Sequence, residues 1–313
     1  MVSDITRIRC GATGERAEAC ARRRAGGRLV ALGLAAIVAV AGCASGPDVP
    51  VAADDLAPQA LAAEGLPTDW RLVWNDEFSG REIASHWTHE VNAWGGGNNE
   101  LQYYTARPEN SYVRGGRLHI VAREEHYEGP EGARAYTSAR LNTKGSGDWR
   151  YGRFEIRAKL PEGQGIWPAI WMLPTDEVYG GWAASGEIDI VELVGHAPDR
   201  VHGTLHYGGE WPMNTHTGDS YRLPDDERFS DSFHVFTLIW EEGAFHWFVD
   251  GKHYQTQRHW HTQEHEFPAP FDRRFHILLN VAVGGNWPGP PDETTDFPQE
   301  MVVDYVRVYQ AGR

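Results

Sequence analysis

Apolar and polar residues alternate along residues 151–160, with Phe154, Ile156, Ala158 and Leu160 on one side and Arg153, Glu155, Arg157 and Lys159 on the other. Period two is the period of a strand, so this segment predicts a strand with one core face and one face in water. Residues 245–249 and 254–256 flank Asp250-Gly251, a dipeptide suited to a tight hairpin turn. Comparable apolar runs predict strands at 117–122, 166–173, 201–207, 233–240, 275–283 and 301–309. From Arg71 onward no amphipathic helix of ordinary length interrupts the series, and no internal repeat marks a propeller or solenoid. The predicted fold class is all-β, a jelly-roll β-sandwich of two antiparallel sheets.

One predicted strand breaks the alternation in an informative way. Glu187-Ile188-Asp189-Ile190-Val191-Glu192 sets three carboxylates into a β-branched apolar run. In a regular strand Glu187 and Asp189 share a face and Glu192 points away. If Ile190 and Val191 together oppose a single partner residue in a β-bulge, all three carboxylates end on one face. A helix, at about 100° per residue, would scatter them. Three carboxylates crowded in a low-dielectric setting cannot all ionise at neutral pH, so one keeps a proton while another stays charged. That division is what glycoside hydrolysis uses, and carboxyls roughly 5 Å apart give the retaining route. A flat strand would separate the Cα atoms of Glu187 and Glu192 by about 13 Å, so catalysis requires a sheet curved into a concave cleft. The alternatives for the same motif are a solvated acidic face and a calcium site.

Composition narrows the partners. The formal charge of the 313 residues is −15; residues 1–43 carry seven Arg against Asp4, Glu15 and Glu18, or +4, leaving −15 − 4 = −19 on the remainder. Such a body repels nucleic acid and sulfated polysaccharides and leaves a neutral ligand as the better fit. Cys10, Cys20 and Cys43 all precede the predicted strands, which excludes a stabilising disulfide or a Cys-based zinc site within them. Arg22, Arg23, Arg24 and Arg28 precede an apolar run at 29–41 that is short for a bilayer span, and Val40-Ala41-Gly42-Cys43 follows. Residues 1–43 therefore read as a signal peptide with a lipobox, ordinary secretory cleavage being the alternative. The membrane contact expected is a lipid anchor at Cys43 of a secreted cell-envelope protein, in the outer membrane, periplasm or extracellular space. Residues 44–66, rich in Ala, Pro, Gly and Asp, read as a flexible linker, and 67–313 as the folded domain.

Several aromatic stretches accompany the acidic strand. Trp167-Pro168-Ala169-Ile170-Trp171 precedes it, Asn286-Trp287-Pro288-Gly289 follows, and Trp94 lies close to Asn98, Asn99 and Glu100. Each Trp alone is as well explained by core packing. Together, flat aromatic faces that stack on pyranose rings and amides that bind hydroxyls favour a glycan cleft. These stretches, with Trp74-Asn75-Asp76-Glu77-Phe78, 98–105, 151–160, His202-Gly203-Thr204-Leu205-His206-Tyr207 and 275–309, make the chain resemble glycoside hydrolase family 16 in its bacterial laminarinase branch, over roughly residues 70–310.

The resemblance implies a jelly-roll with a concave cleft and retaining endo-hydrolysis of β-1,3-glucans by a monomer, with mixed-linkage β-1,3-1,4-glucan as a further substrate and no cofactor in catalysis. It implies that Glu187 is the nucleophile, Glu192 the general acid/base and Asp189 the group that helps set their protonation. Trp94, Asn98, Asn99, Trp167, Trp171, His206, Asn286 and Trp287 are the implied substrate contacts, although a lone strand His such as His206 is often structural. A structural calcium is implied at Glu77, the Gly116 carbonyl and Asp304, the alternative being solvated strand-end acids. Agarases and carrageenases share this fold, and the negative charge argues against sulfated substrates. Glucan-binding relatives lack the glutamates that stand here as Glu187 and Glu192.

Overall fold

The computed structural model describes residues 61–62 and 65–312. The predicted signal peptide, its lipobox and residues 44–60 of the predicted linker lie outside the described residues. In chain order the strands are β1 (Trp70–Asp76), β2 (Thr88–His89), β3 (Gln102–Tyr104), β4 (Ser111–Arg114), β5 (Arg117–Gly129), β6 (Gly132–Ser138), β7 (Arg140–Asn142), β8 (Asp148–Trp149) and β9 (Gly152–Lys159). There follow β10 (Ile166–Pro174), β11 (Glu187–Glu192), β12 (Arg200–Tyr207), β13 (Thr215–Arg222), β14 (His234–Glu241), β15 (Ala244–Val249), β16 (Lys252–Gln257), β17 (Phe275–Val283) and β18 (Gln299–Ala311).

These strands form two sheets. One runs β16-β15-β14-β9-β18-β5-β6-β3, with β1 on β18 and β4 on β5; the other runs β13-β12-β11-β10-β17-β7-β2, with β8 on β17. All pairings are antiparallel except β3 with β6. Between the sheets lie Phe154, Ile156, Leu238, Phe245 and Trp247 from the first and Ile170, Met172, Ile188, Leu205, Ile277 and Leu279 from the second, all fully buried. Each contributes about 1.5–3 kcal/mol by leaving water, and period two is what sends these side chains inward together. The acidic strand β11 is internal to the second sheet, between β10 and β12. The predicted hairpin forms at Asp250 and Gly251, with φ of 48° and 74°.

Three details correct the sequence reading. The polar side of β9 does not meet water at its start: Arg153 and Glu155 are buried as an ion pair, Tyr305 donates its hydroxyl to Glu155 at 3.1 Å, and Arg153 lies over the Tyr309 ring. Arg157 pairs with Asp304 at 2.7 Å and stacks on Phe233. A strand flanked on both edges, here by β14 and β18, offers a surface that neighbouring side chains can cover. The folded part also begins before residue 67: Leu61 and Leu66 are 1% and 5% exposed and pack on Ile239 and Phe248, with Trp70 alongside. Finally β13, whose sequence is Thr-His-Thr-Gly-Asp-Ser-Tyr-Arg, carries no apolar period, and its residues are mostly exposed.

The docked start of the domain is testable. Leu61→Ala removes a buried side chain and leaves a cavity against Ile239 and Phe248, for an expected loss of about 2–4 kcal/mol. That lowers the melting temperature by roughly 5–10 °C in a domain of this size. A variant that melts with the parent would show that this segment adds nothing to the core.

Candidate functional site

The bulge is present in β11. Against β12, Asp189 pairs with Thr204 and Glu192 with His202, so Ile190 and Val191 share the single residue Gly203. Against β10, Val191 pairs with Ile170 and Asp189 with Trp171, which leaves Ile190 as the extra residue on that side. Both bulge side chains enter the core, and Glu187, Asp189 and Glu192 line one cleft. Trp247 of β15 lies beneath. Its indole N–H donates to the Asp189 backbone carbonyl at 2.9 Å, at the point where the ladder loses register. Gly203 makes room for that ring, since a Cβ there would lie 2.5 Å from it.

The cleft encloses about 590 Å³ over β10, β11 and β17. The Trp182 indole N–H donates to Glu187 Oε2 at 2.8 Å, and the Trp167 indole N–H donates to Glu192 Oε1 at 3.0 Å. His206 Nε2 stands 3.3 Å from Asp189 Oδ2 and 3.7 Å from Glu187 Oε1; the first is an ion-pair approach without hydrogen-bond alignment. His206 faces Glu187 directly across the β11–β12 ladder.

Burial and crowding separate the protonation states. Burial first, and the Asp189 charge second, push Glu187 up to about 7, against the opposing pull of His206 and the Trp182 hydrogen bond. The same two causes, joined by the charge of Glu187, hold Glu192 well above the ordinary carboxylate range. Burial alone would lower His206, but Asp189, Glu187 and Glu192 outweigh it and raise the imidazole to about 9. The surroundings therefore favour the proton on Glu192, let Glu187 ionise near neutral pH and keep an imidazolium beside it. Two glutamates that the sequence leaves equivalent are thus distinguished by their surroundings.

The remaining predicted contacts fall into two groups. Trp94, Asn98, Trp167 and Trp171 line the cleft, with Trp94 62% exposed. Trp171 donates to Asn280 at 2.7 Å and carries the Arg140 guanidinium over its ring at 4.6 Å. Asn99, Asn286 and Trp287 are exposed and lie outside this lining: Asn99 donates to Asn286 at 2.8 Å, and Trp287 packs edge-on against Trp167 and His202. Sequence reasoning missed Arg140, Trp182 and Trp211, which also line the cleft. Trp182 had a signal, since it lies five residues before Glu187 in a Gly-rich loop.

The carboxylates expected at the calcium site are engaged by arginines. Glu77 accepts two hydrogen bonds at 2.8 Å from Arg307, and Asp304 is held by Arg157 at 2.7 Å and Arg117 at 3.2 Å. Gly116 occupies the turn between β4 and β5, with φ of 75°. Carboxylates neutralised by guanidinium groups are poor donors for a dication, which would be repelled by the same arginines. The side-chain donors as placed do not fit calcium.

Comparison with known proteins agrees with this geometry. The family model for Glycosyl hydrolases family 16 matches residues 97–307. The chain is 42% identical over 278 residues to Glucan endo-1,3-beta-glucosidase A1 of Niallia circulans, a match that covers 82% of this chain and 41% of that protein. It is 47% identical over 260 residues to Beta-glucanase of Rhodothermus marinus, covering 77% of this chain and 85% of that one. Among solved structures, the catalytic domain of an endo-1,3-beta-glucanase (laminarinase) from Thermotoga petrophila superposes with a TM-score of 0.71 at 42% identity, over 78% of this chain and 99% of that chain. Together with the bulged carboxylate strand and its tryptophan-lined cleft, these matches show that the chain belongs to family 16 of the glycosyl hydrolases.

Proposed function

We propose that this chain is a retaining endo-β-1,3-glucanase acting on laminarin-like glucans, with mixed-linkage β-1,3-1,4-glucan as a second substrate. The observation that carries the reading is the pair of glutamates with separated proton affinities on one bulged strand. In the reaction Glu187, ionised, attacks the anomeric carbon while Glu192 gives its proton to the departing glycosidic oxygen. This forms a glycosyl ester and frees the leaving chain. Glu192, now ionised, takes a proton from water as the water oxygen attacks the anomeric carbon, and Glu187 is released as carboxylate. Asp189 and the His206 imidazolium set the field in which Glu187 ionises. Glu192 gives and takes every proton and Glu187 carries the glycosyl group, so the scheme is written with side chains alone. The relatives named above support a β-1,3-glucan substrate, and the net charge of −15 disfavours sulfated ones.

The reading extends to location. We infer a secreted monomer tethered through a lipid at Cys43, supported by the basic stretch, the short apolar run and Val40-Ala41-Gly42-Cys43.

Glu187→Ala and Glu192→Ala are each expected to lower reducing-sugar release from laminarin by at least about a thousandfold while the fold is kept, with lichenan, agarose and carrageenan assayed beside it. On an activated aryl glycoside, whose leaving group needs little protonation, Glu192→Ala retains more activity than Glu187→Ala. Near-normal laminarin turnover by Glu187→Ala would refute the nucleophile. His206→Gln removes the cation that favours ionised Glu187, so the Glu187 pKa rises further. The acid limb of the kcat/KM profile, expected near pH 7 in the parent, then moves to higher pH. A limb that stays put or moves down counts against this coupling. Cys43→Ser should transfer the protein from the membrane to the soluble fraction, where it runs at the size of a single chain; continued membrane association would count against lipidation.

A further inference from the structure

The cleft is built unequally on its two flanks. Loop 94–100 and strands β7, β17 and β10 supply Trp94, Asn98, Arg140, Asn280 and Trp171 on one side of the carboxylate strand. On the other side, beyond β12, the lining is the indole of Trp211, carried by the connection between β12 and β13. Trp211 is 73% exposed, more than any other large apolar residue among the exposed ones described. Trp182 and Met213 are exposed as well, at 43% and 69%, so the two loops carry several exposed apolar side chains rather than a lone one, as a binding surface does.

The backbone that carries this indole is held in place. The Trp211 backbone N–H donates to the Trp182 carbonyl at 3.0 Å, and the neighbouring Glu210 carboxylate accepts from the Gly181 N–H at 2.8 Å. Trp182 in turn donates its indole N–H to Glu187. The loop backbone that presents the Trp211 ring is therefore positioned relative to the reacting carboxylate, which preorganises the binding face.

We propose that Trp211 forms a leaving-side subsite, stacking on a glucosyl unit of the chain that departs when Glu187 attacks. The proposal rests on the glucanase reading above. The side follows from the two-step reaction: the glycosyl half stays bound through the covalent intermediate and warrants the densely lined flank. The departing half must dissociate before water can enter, and a single stacking face lets it do so. The indole offers an apolar face to the C–H face of a pyranose.

The test compares laminarin with β-laminaribiosyl fluoride, whose leaving group is a fluoride ion with no face to stack. Trp211→Ala is expected to raise KM on laminarin about five- to tenfold and to lower transfer to added laminaribiose, while kcat/KM on the glycosyl fluoride, which reaches nothing on the leaving side, stays within about twofold of the parent. Trp211→Phe should restore most of the laminarin affinity. Equal losses on both substrates, or no loss on laminarin, would overturn the subsite. A parent enzyme that releases no sugar from laminarin would instead overturn the glucanase reading, so the two failures are distinguishable.

Discussion

The site depends on one extra residue in β11. Without the bulge, plain alternation would turn Glu192 into the space between the sheets, where Trp247 and its neighbours offer no charged partner. A buried unpaired carboxylate costs several kcal/mol or gives up its charge. With the bulge, Ile190 and Val191 both go inward and all three carboxylates line the cleft. The distortion is supported from the opposite sheet, where the Trp247 indole satisfies the Asp189 carbonyl, and from the adjacent strand, where Gly203 yields the space. Core packing and site geometry are thus one arrangement: the residue that stabilises the kink is a core residue of the other sheet.

That arrangement also creates the electrostatics. Bringing three carboxylates to one face and excluding water raises the proton affinity of those least compensated. Glu187 has the Trp182 hydrogen bond and the His206 cation within 3.7 Å. Glu192 has the Trp167 hydrogen bond and feels the charge of both other carboxylates. The cation stands nearer Glu187, which adds to the asymmetry, and β12 places it there by pairing His206 opposite Glu187. Register in a neighbouring strand therefore separates an attacking group from a protonating one in the proposed reaction.

Much of this was legible in the sequence because it follows from period two. The core face of β9, the hairpin at Asp250-Gly251, the strand at 275–283 and the bulge in β11 are consequences of which residues can face which way. What was not legible depends on tertiary context. Arg153 and Glu155 read as a solvated face, yet β18 and its tyrosines cover them. Strand β13 is polar throughout and is held by its ladder to β12, with no apolar stripe of its own. Leu61 and Leu66 sit among linker-like residues, and their burial depends on Ile239 and Phe248, far along the chain. The arginines that hold Glu77 and Asp304 are remote from them in sequence, so these ion pairs could not be read along the chain.

The tryptophans show why composition alone could not assign the cleft. Trp247 and Trp240 are buried in the core, whereas Trp167 and Trp182 each use the indole N–H on a carboxylate while a ring face remains at the cleft. The same side chain serves as filler, as hydrogen-bond donor and as stacking surface, and only its position relative to the two sheets decides which. In this fold the decision is made by strand parity for Trp167 and Trp171, which lie four residues apart on β10 and share the cleft face. For Trp182 and Trp211 it is made by loops whose backbones hydrogen-bond to each other. Parity can be read along a chain, but a contact between two loops separated by β11 and β12 can be read only after those strands have paired.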